Sequence, residues 1–466
     1  MRLDKLVSAL FVIACVLTAQ DVDPGAPMLS RIKTYLRSQF AHLPNYTCLE
    51  TVTRFQKGAD SGARLMPLDT VGAMDHPGGG FGLGGSFRPL DTVRLEIACS
   101  HQHEWYGLPG DHTLSVDNPA LLTGGVGLIA NGIYSTTLHN LFLVDGAIFT
   151  SRGEDVIDGR KAVKFDYHFP AGSILSRISL LRGSGTVNER GSFWLDPQSL
   201  DLLRLDGRAT EIPPSLPLAE MEFTVVYART HIGEFDALLA QYADLHMMQT
   251  TGVEDYDRMD FTHCRMFQTT STLRFDIDPA NAPDQAPRQA SPALEHMTAL
   301  PASVRVAIQI ASPITDRDAI GKLIAGRVVG DVRHRGKIVL ENGSPVHGRI
   351  RRLARQADGD HFLVSLEFTD VQVRGEALRF YADLVSIEKL KAVRPAPRER
   401  VFLPNHPSGT VKITLPELPG VASFLVQGKS FNLPAGLRTV WRTRGLRDLA
   451  RKPSRENEVM TLPPAP

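Results

Sequence analysis

Cysteine is scarce in this 466-residue chain: there are four, and no two stand close enough for a Cys-x-x-Cys pair. That spacing excludes a thioredoxin-like dithiol and a zinc ribbon. Charge of one sign is not in excess either, since 51 Lys plus Arg balance 51 Asp plus Glu. Nucleic acid, which needs a basic surface, therefore has no support as a partner. Apolar runs of spanning character are missing but for one at the N-terminus, which excludes a multi-span membrane protein. No Gly-x-Ser-x-Gly elbow and no phosphate-cradling glycine loop occurs, so serine-hydrolase and nucleotide-binding readings lapse and no cofactor is expected.

What remains is globular composition, 42% hydrophobic and 22% charged, with 39 Gly and 31 Pro favouring turns. Arg2 and Lys5 precede the apolar stretch Leu6–Leu17, followed by Thr18, Ala19 and a polar segment. This is the order of a secretory signal peptide, so residues 1–19 are expected to be removed and the mature chain to carry no transmembrane span. An alternative is a lipobox, Val12-Ile13-Ala14-Cys15, which would make the product a lipoprotein through Cys15. Either way the protein is expected to be exported, periplasmic or extracellular. Cys48, Cys99 and Cys264 are left. Cys99 sits among Val93, Leu95 and Ile97 like a core residue, which suggests a Cys48 to Cys264 disulfide; three unbonded cysteines are the alternative.

Met28, Ile32, Tyr35, Leu36 and Phe40 recur near a 3.6-residue period and predict a helix over Ala26–Phe40, ended before Pro44. Gly80, Gly82 and Gly85 fit GxGxxG formally, but no strand and helix flank them, so the segment reads as loop. Beyond it, period-two segments follow one another: Val93 to Cys99 returning through Trp105 and Tyr106, Glu154 to Phe169 around Asp158-Gly159, Phe193-Trp194-Leu195 turning at Asp196-Pro197 into Leu200–Leu205, then Phe223 to Tyr227 and Thr270 to Ile277. The fold class is mainly β (α+β): a curved antiparallel half-barrel sheet with an N-terminal helix over residues 20–278. A proline-rich linker follows at 279–301. A second small β-barrel or sandwich is expected over 302–450, with a C-terminal hairpin pairing Phe424 and Val426 with Phe431 and Leu433, and a disordered tail at 451–466.

The signal peptide, the amphipathic helix, the hairpin at Val93–Tyr106, the segment Val144–Phe169 and above all the Phe193-Trp194-Leu195-Asp196-Pro197 turn running into Leu202–Leu205 resemble the LolA/LolB-like lipoprotein-carrier superfamily, over the N-terminal region only. The resemblance implies a curved sheet wrapped around helices that holds acyl chains, and a hydrophobic ligand or lipoprotein as partner. It carries over no individual contact residue.

Candidate chemistry is thin. His101, His103, Glu104 and His112 lie close in sequence, but His103-Glu104 is followed at position 107 by Gly, so the HExxH metal helix is absent. The Arg349, Arg351, Arg352 and Arg355 run reads as a solvated strand edge, or as attraction to an anionic envelope surface. No catalytic and no metal residue is assigned, and the protein is read as a non-enzyme. Leu95, Ile97, Val163, Phe165, Tyr167, Phe169, Phe223, Val225 and Tyr227 are the candidate wall of a cavity for lipid or acyl chains. The alternative is an envelope structural or protein-interaction module whose core is filled. A lower alternative is a metal-dependent hydrolase at His101, His103 and His112.

Overall fold

The computed structural model describes residues 26–58, 87–100, 103–111, 113–115, 136–144, 146–170, 177–180, 183–267, 300–355, 360–388, 390, 392–395, 401–403, 411–413, 420–445 and 459–461. The signal segment, the GxGxxG loop, Thr270–Ile277 and most of the expected linker lie outside the described residues.

Helix α1 spans Ala26–His42. Pro27 is tolerated in its first turn, and Pro44 bars its continuation. Ile32 and Leu36, one turn apart, are fully buried beneath it. The strands that follow are β1 (Tyr46–Lys57), β2 (Arg88–Ser100), β3 (His103–Gly107) and β4 (Thr113–Ser115), then the short helix α2 (Thr136–Phe142). Next come β5 (Ile148–Ile157), β6 (Arg160–His168), the small ribbon β7 (Arg177–Leu180) and β8 (Gly183–Thr186), β9 (Asn188–Leu195) and β10 (Leu202–Thr210). Three long strands close the region: β11 (Leu218–Ile232), β12 (Phe235–Gln249) and β13 (Glu254–Met266).

Local chemistry sets the hairpins. Asp158 and Gly159 both take positive φ, 51° and 75°, as a two-residue β5–β6 turn requires. The Asp196 carboxylate accepts the backbone N–H groups of Gln198 and Ser199 at 2.9 and 3.1 Å, which fixes the β9–β10 turn and holds its pKa below the usual carboxylate range. Together with β29 (Val459–Thr461), these strands form one antiparallel sheet of twelve, in the order β29-β4-β3-β2-β1-β13-β12-β11-β10-β9-β6-β5. The sheet is curled into a half-barrel. β29 falls inside the stretch expected to be a disordered tail, and pairs with β4.

Period-two alternation gives the sheet two unlike faces. Phe165, Phe193, Leu205 and Val225 are buried on the side of α1, where Phe193 packs edge-on to Phe142 of α2 (ring centroids 5.0 Å) and stacks on Phe165 (5.2 Å). Asp166, Ser192, Asp206 and Thr224 alternate with them, and stand directly opposite one another on the other face.

Residues 305–443 supply β14 (Arg305–Ile310), β15 (Ile314–Thr315), β16 (Leu323–Val328), β17 (Val332–His334), β18 (Lys337–Leu340), β19 (Pro345–Arg355), β20 (His361–Val373), β21 (Glu376–Arg379) and β22 (Ala382–Ile387). β23 (Val393–Pro395), β24 (Val401–Leu403), β25 (Val411–Ile413), β26 (Val421–Gln427), β27 (Asn432–Leu433) and β28 (Arg438–Thr443) complete the set. Most join a second sheet, β22-β28-β14-β16-β19-β20-β26-β23, which curls so that β22 comes against β26. Its core is Trp441, Phe368 and Phe424.

Two expectations need correction here. The hairpin expected from Phe424 to Leu433 does not form: β26 pairs with β20 and β23, while β27 crosses to Ile314–Thr315, because Gly428 (φ 146°) turns the chain away. The arginine run is not an edge either, since β19 is interior, between β16 and β20. Arg349 is buried, bonding Asp111 at 2.6 Å and Glu367 at 3.0 Å, and Arg351 also reaches Glu367 at 3.1 Å. Asp111 and Glu367 thus neutralise Arg349 and Arg351.

The two sheets touch. Ile320 bonds the backbone of β2 through Arg94 N–H to its carbonyl and its own N–H to Thr92, both at 2.7 Å. Arg349 reinforces that seam through Asp111.

Cys48 and Cys264 form a disulfide, with Cα atoms 4.1 Å apart, and Cys99 is a buried free thiol. The bond spans the β1–β13 pairing at a bulge between Thr47 and Leu49, opposite His263 with φ 52°. The closed loop of 216 residues should stabilise the fold by on the order of 4–5 kcal/mol in the chain-entropy view. Replacing both cysteines by serine is expected to lower the urea midpoint accordingly, and an unchanged midpoint would show that the crosslink constrains nothing.

Candidate functional site

The nine residues expected to wall a cavity fall on the α1 side of the first sheet. Leu95, Ile97, Phe165, Tyr167, Val225 and Tyr227 are buried, and Val163, Phe169 and Phe223 pack partly buried against the same core. The structure therefore gathers all nine, around side chains from α1 and α2. Helix α1 is fastened over this face by a polar latch. The Tyr35 hydroxyl donates to Asp201 at 2.8 Å, the Arg229 guanidinium donates to both Asp201 oxygens at 2.8 and 3.0 Å, and Arg229 also donates to the Tyr35 oxygen. Burial and the Asp201 carboxylate push the Tyr35 phenol up to about 12.

Sequence reading missed a second feature of that face. β1 and β13 turn charged residues inward: Glu50, Arg54, Asp255 and Asp257 are buried, as is Glu104 on β3. Arg54 is satisfied by two 2.6 Å bonds to Asp91. Glu104 accepts the Tyr106 hydroxyl at 2.5 Å. Glu50 lies in a buried setting with Glu104, and burial followed by that neighbouring charge pushes its pKa well above the usual carboxylate range. Charged residues interrupt an inward row that also holds Tyr46, Cys48, Val52, Met259 and Phe261, which is why periodicity alone hid the group.

On the face turned away from α1, a groove of about 860 Å³ crosses β5 to β13. Arg190 and Arg208 stand directly opposite each other on β9 and β10, flanked by His168 opposite Arg190 and Glu222 opposite Arg208. All four line the groove. Gly191 and Gly207 form the next cross-strand pair. A Cβ on Gly191 would lie 1.9 Å from the Asp206 carbonyl oxygen, and one on Gly207 would lie 2.3 Å from the Phe223 ring, so neither position admits a side chain.

The resemblance-bearing turn divides between the faces. Phe193 and Leu195 enter the core, while Trp194 faces outward between Lys164 (4.8 Å from the ring centroid) and Arg204 (5.4 Å), its indole N–H donating to Asp155 at 2.8 Å. His103 is exposed beside Trp105, and His101 and His112 lie outside the described residues. Among the described residues no group of three or more His, Cys, Asp or Glu could hold a metal ion. Among them, too, no helix is long and apolar enough to cross a membrane.

No protein-family profile and no curated protein sequence matches the chain. Solved structures similar to it include a DUF1329 family protein from Desulfovibrio piger and a domain from Vibrio parahaemolyticus named for outer-membrane lipoprotein sorting. Each is 11% identical, with a TM-score of 0.27, covering 53% of this chain and 94% of the other. A LolA superfamily protein from Nitrosomonas europaea is 9% identical, with a TM-score of 0.23 over 52% of this chain and 94% of its own.

The buried acids make stability depend on pH. Burial pushes Asp257 up to about 8, only partly offset by Arg54 opposite it on β1. A carboxyl that binds its proton more tightly when folded adds stability fully below its unfolded value near 4, and loses it as pH rises toward 8, by at most about 1.4 kcal/mol per pH unit. Asp257→Asn should therefore gain in urea midpoint over the parent progressively from pH 5 to pH 8. A difference between the two proteins that stays constant across that range would contradict the assignment.

Proposed function

We propose that this chain is an exported cell-envelope protein that binds or shields a hydrophobic ligand, a lipid or the acyl chains of a lipoprotein, and performs no chemistry. The observation that supports this reading is the apolar face of the curled sheet, roofed by a single 17-residue helix and fastened by one polar latch. Among the described side chains, α1 contributes only Ile32 and Leu36 as fully buried ones. Lifting them costs roughly 1.5–3 kcal/mol each, and an acyl chain laid along Phe165, Tyr167, Val225 and Tyr227 restores that burial. Export rests on the charged and apolar order of residues 1–19, and residues 279–301 are taken as the linker to a second domain.

A second reading, an envelope interaction module with a filled core, is favoured by the close ring packing of Phe142, Phe149, Phe165 and Phe193. Fluorescent fatty acid uptake separates the two. Asp201→Asn removes the acceptor shared by Tyr35 and Arg229, loosens α1 and should speed uptake several-fold. Native mass spectrometry of the purified protein should show copurified lipid. A bare mass with no uptake by either protein overturns the carrier reading in favour of the interaction module, whereas bound zinc would point to His101, His103 and His112.

A further inference from the structure

The groove on the outer face holds an arrangement that packing does not account for. Arg190 and Arg208 are directly opposed across β9 and β10, with His168 next in the same row on β6. Like charges directly opposite in a sheet are destabilising, so a fold selected for stability alone would not place them there. The neighbouring carboxylates do not neutralise the pair. Asp166 is bound to Arg152 at 2.6 Å and to the Ser192 hydroxyl at 2.7 Å, Asp206 to Arg204 at 2.7 Å and to the Thr224 hydroxyl at 2.9 Å, and Asp244 to Arg258 at 2.9 Å and to the Tyr256 hydroxyl at 2.6 Å. Glu189 is occupied by the Tyr167 hydroxyl, and Glu211 accepts from Asn188. Among the described residues neither guanidinium lies within 4.0 Å of a carboxylate oxygen. Glu222, opposite Arg208, is the acid nearest in register.

We propose that Arg190 and Arg208 form a binding site for a phosphate group, with His168 as a third donor. Two guanidinium forks side by side offer more donors than one carboxylate can accept, and suit the three free oxygens of a phosphate. The site lies across the sheet from the face roofed by α1, so it does not depend on the carrier reading.

The full chain is titrated with inorganic phosphate by calorimetry, and cosedimented with phosphatidylglycerol and phosphatidylcholine vesicles. Binding to phosphate or selectively to phosphatidylglycerol is expected, weakening at least tenfold in the R190Q/R208Q protein and strengthening several-fold in Glu222→Gln. Phosphate binding alone identifies a soluble phosphate compound as the source; selective phosphatidylglycerol binding alone identifies a lipid headgroup. Fatty acid uptake should be the same in all three proteins, which separates this site from the carrier reading. If the double variant fails to fold, the gain in Glu222→Gln decides. Absence of both kinds of binding, or binding that neither set of substitutions changes, overturns the proposal.

Discussion

The pairing of β1 with β13 is the contact on which the first sheet depends. Without it the chain would make two separate meanders, one running β1 to β4 and the other β5 to β13. Eleven register pairs from Tyr46↔Met266 to Lys57↔Glu254 join them into one surface, and the disulfide fastens one end of that seam. Contacts so far apart in sequence carry a high loop-closure cost, so they have to be strong once made. Arg54 adds to them from within: its guanidinium, bound to Asp91 on β2, faces Asp257 on β13, so one buried cation ties three adjacent strands.

Much of the architecture was legible in the residues, and the reasons differ by element. Val93, Leu95, Ile97 and Cys99 alternate cleanly, and all four are buried. Asp158-Gly159 is a turn because both residues tolerate positive φ. β12 and β13 were not legible. β12 carries Ala237-Leu238-Leu239-Ala240, which alternates poorly, and β13 places Asp255 and Asp257 where apolar residues belong. The groove pair was hidden for another reason: Arg190 and Arg208 are 18 positions apart, and only the register of β9 against β10 brings them face to face.

The two faces of the sheet follow different rules. Toward α1, rings interlock and few polar atoms enter apart from the β1, β3 and β13 group. Away from it, a ladder from Thr150 through Asp166, Ser192, Asp206, Thr224 and Asp244 to Arg258 crosses seven strands. Most of its charges are matched locally, so the Arg190–Arg208 pair stands out by contrast and not by net charge. Gly191 and Gly207 sit in the next row, where the absence of side chains lets Tyr167 and Phe223 approach the backbone.

The free thiol gives the order of synthesis a meaning. Cys48 and Cys99 emerge from the ribosome long before Cys264, and in the finished sheet they lie on neighbouring strands, Cys48 beside Ile97 and Cys99 beside Tyr46. A nascent β1–β2 hairpin therefore presents two thiols with the correct third partner still unmade. Sealing Cys99 in the core, where burial keeps it in its unreactive protonated form, leaves Cys264 as the partner of Cys48 in the finished sheet.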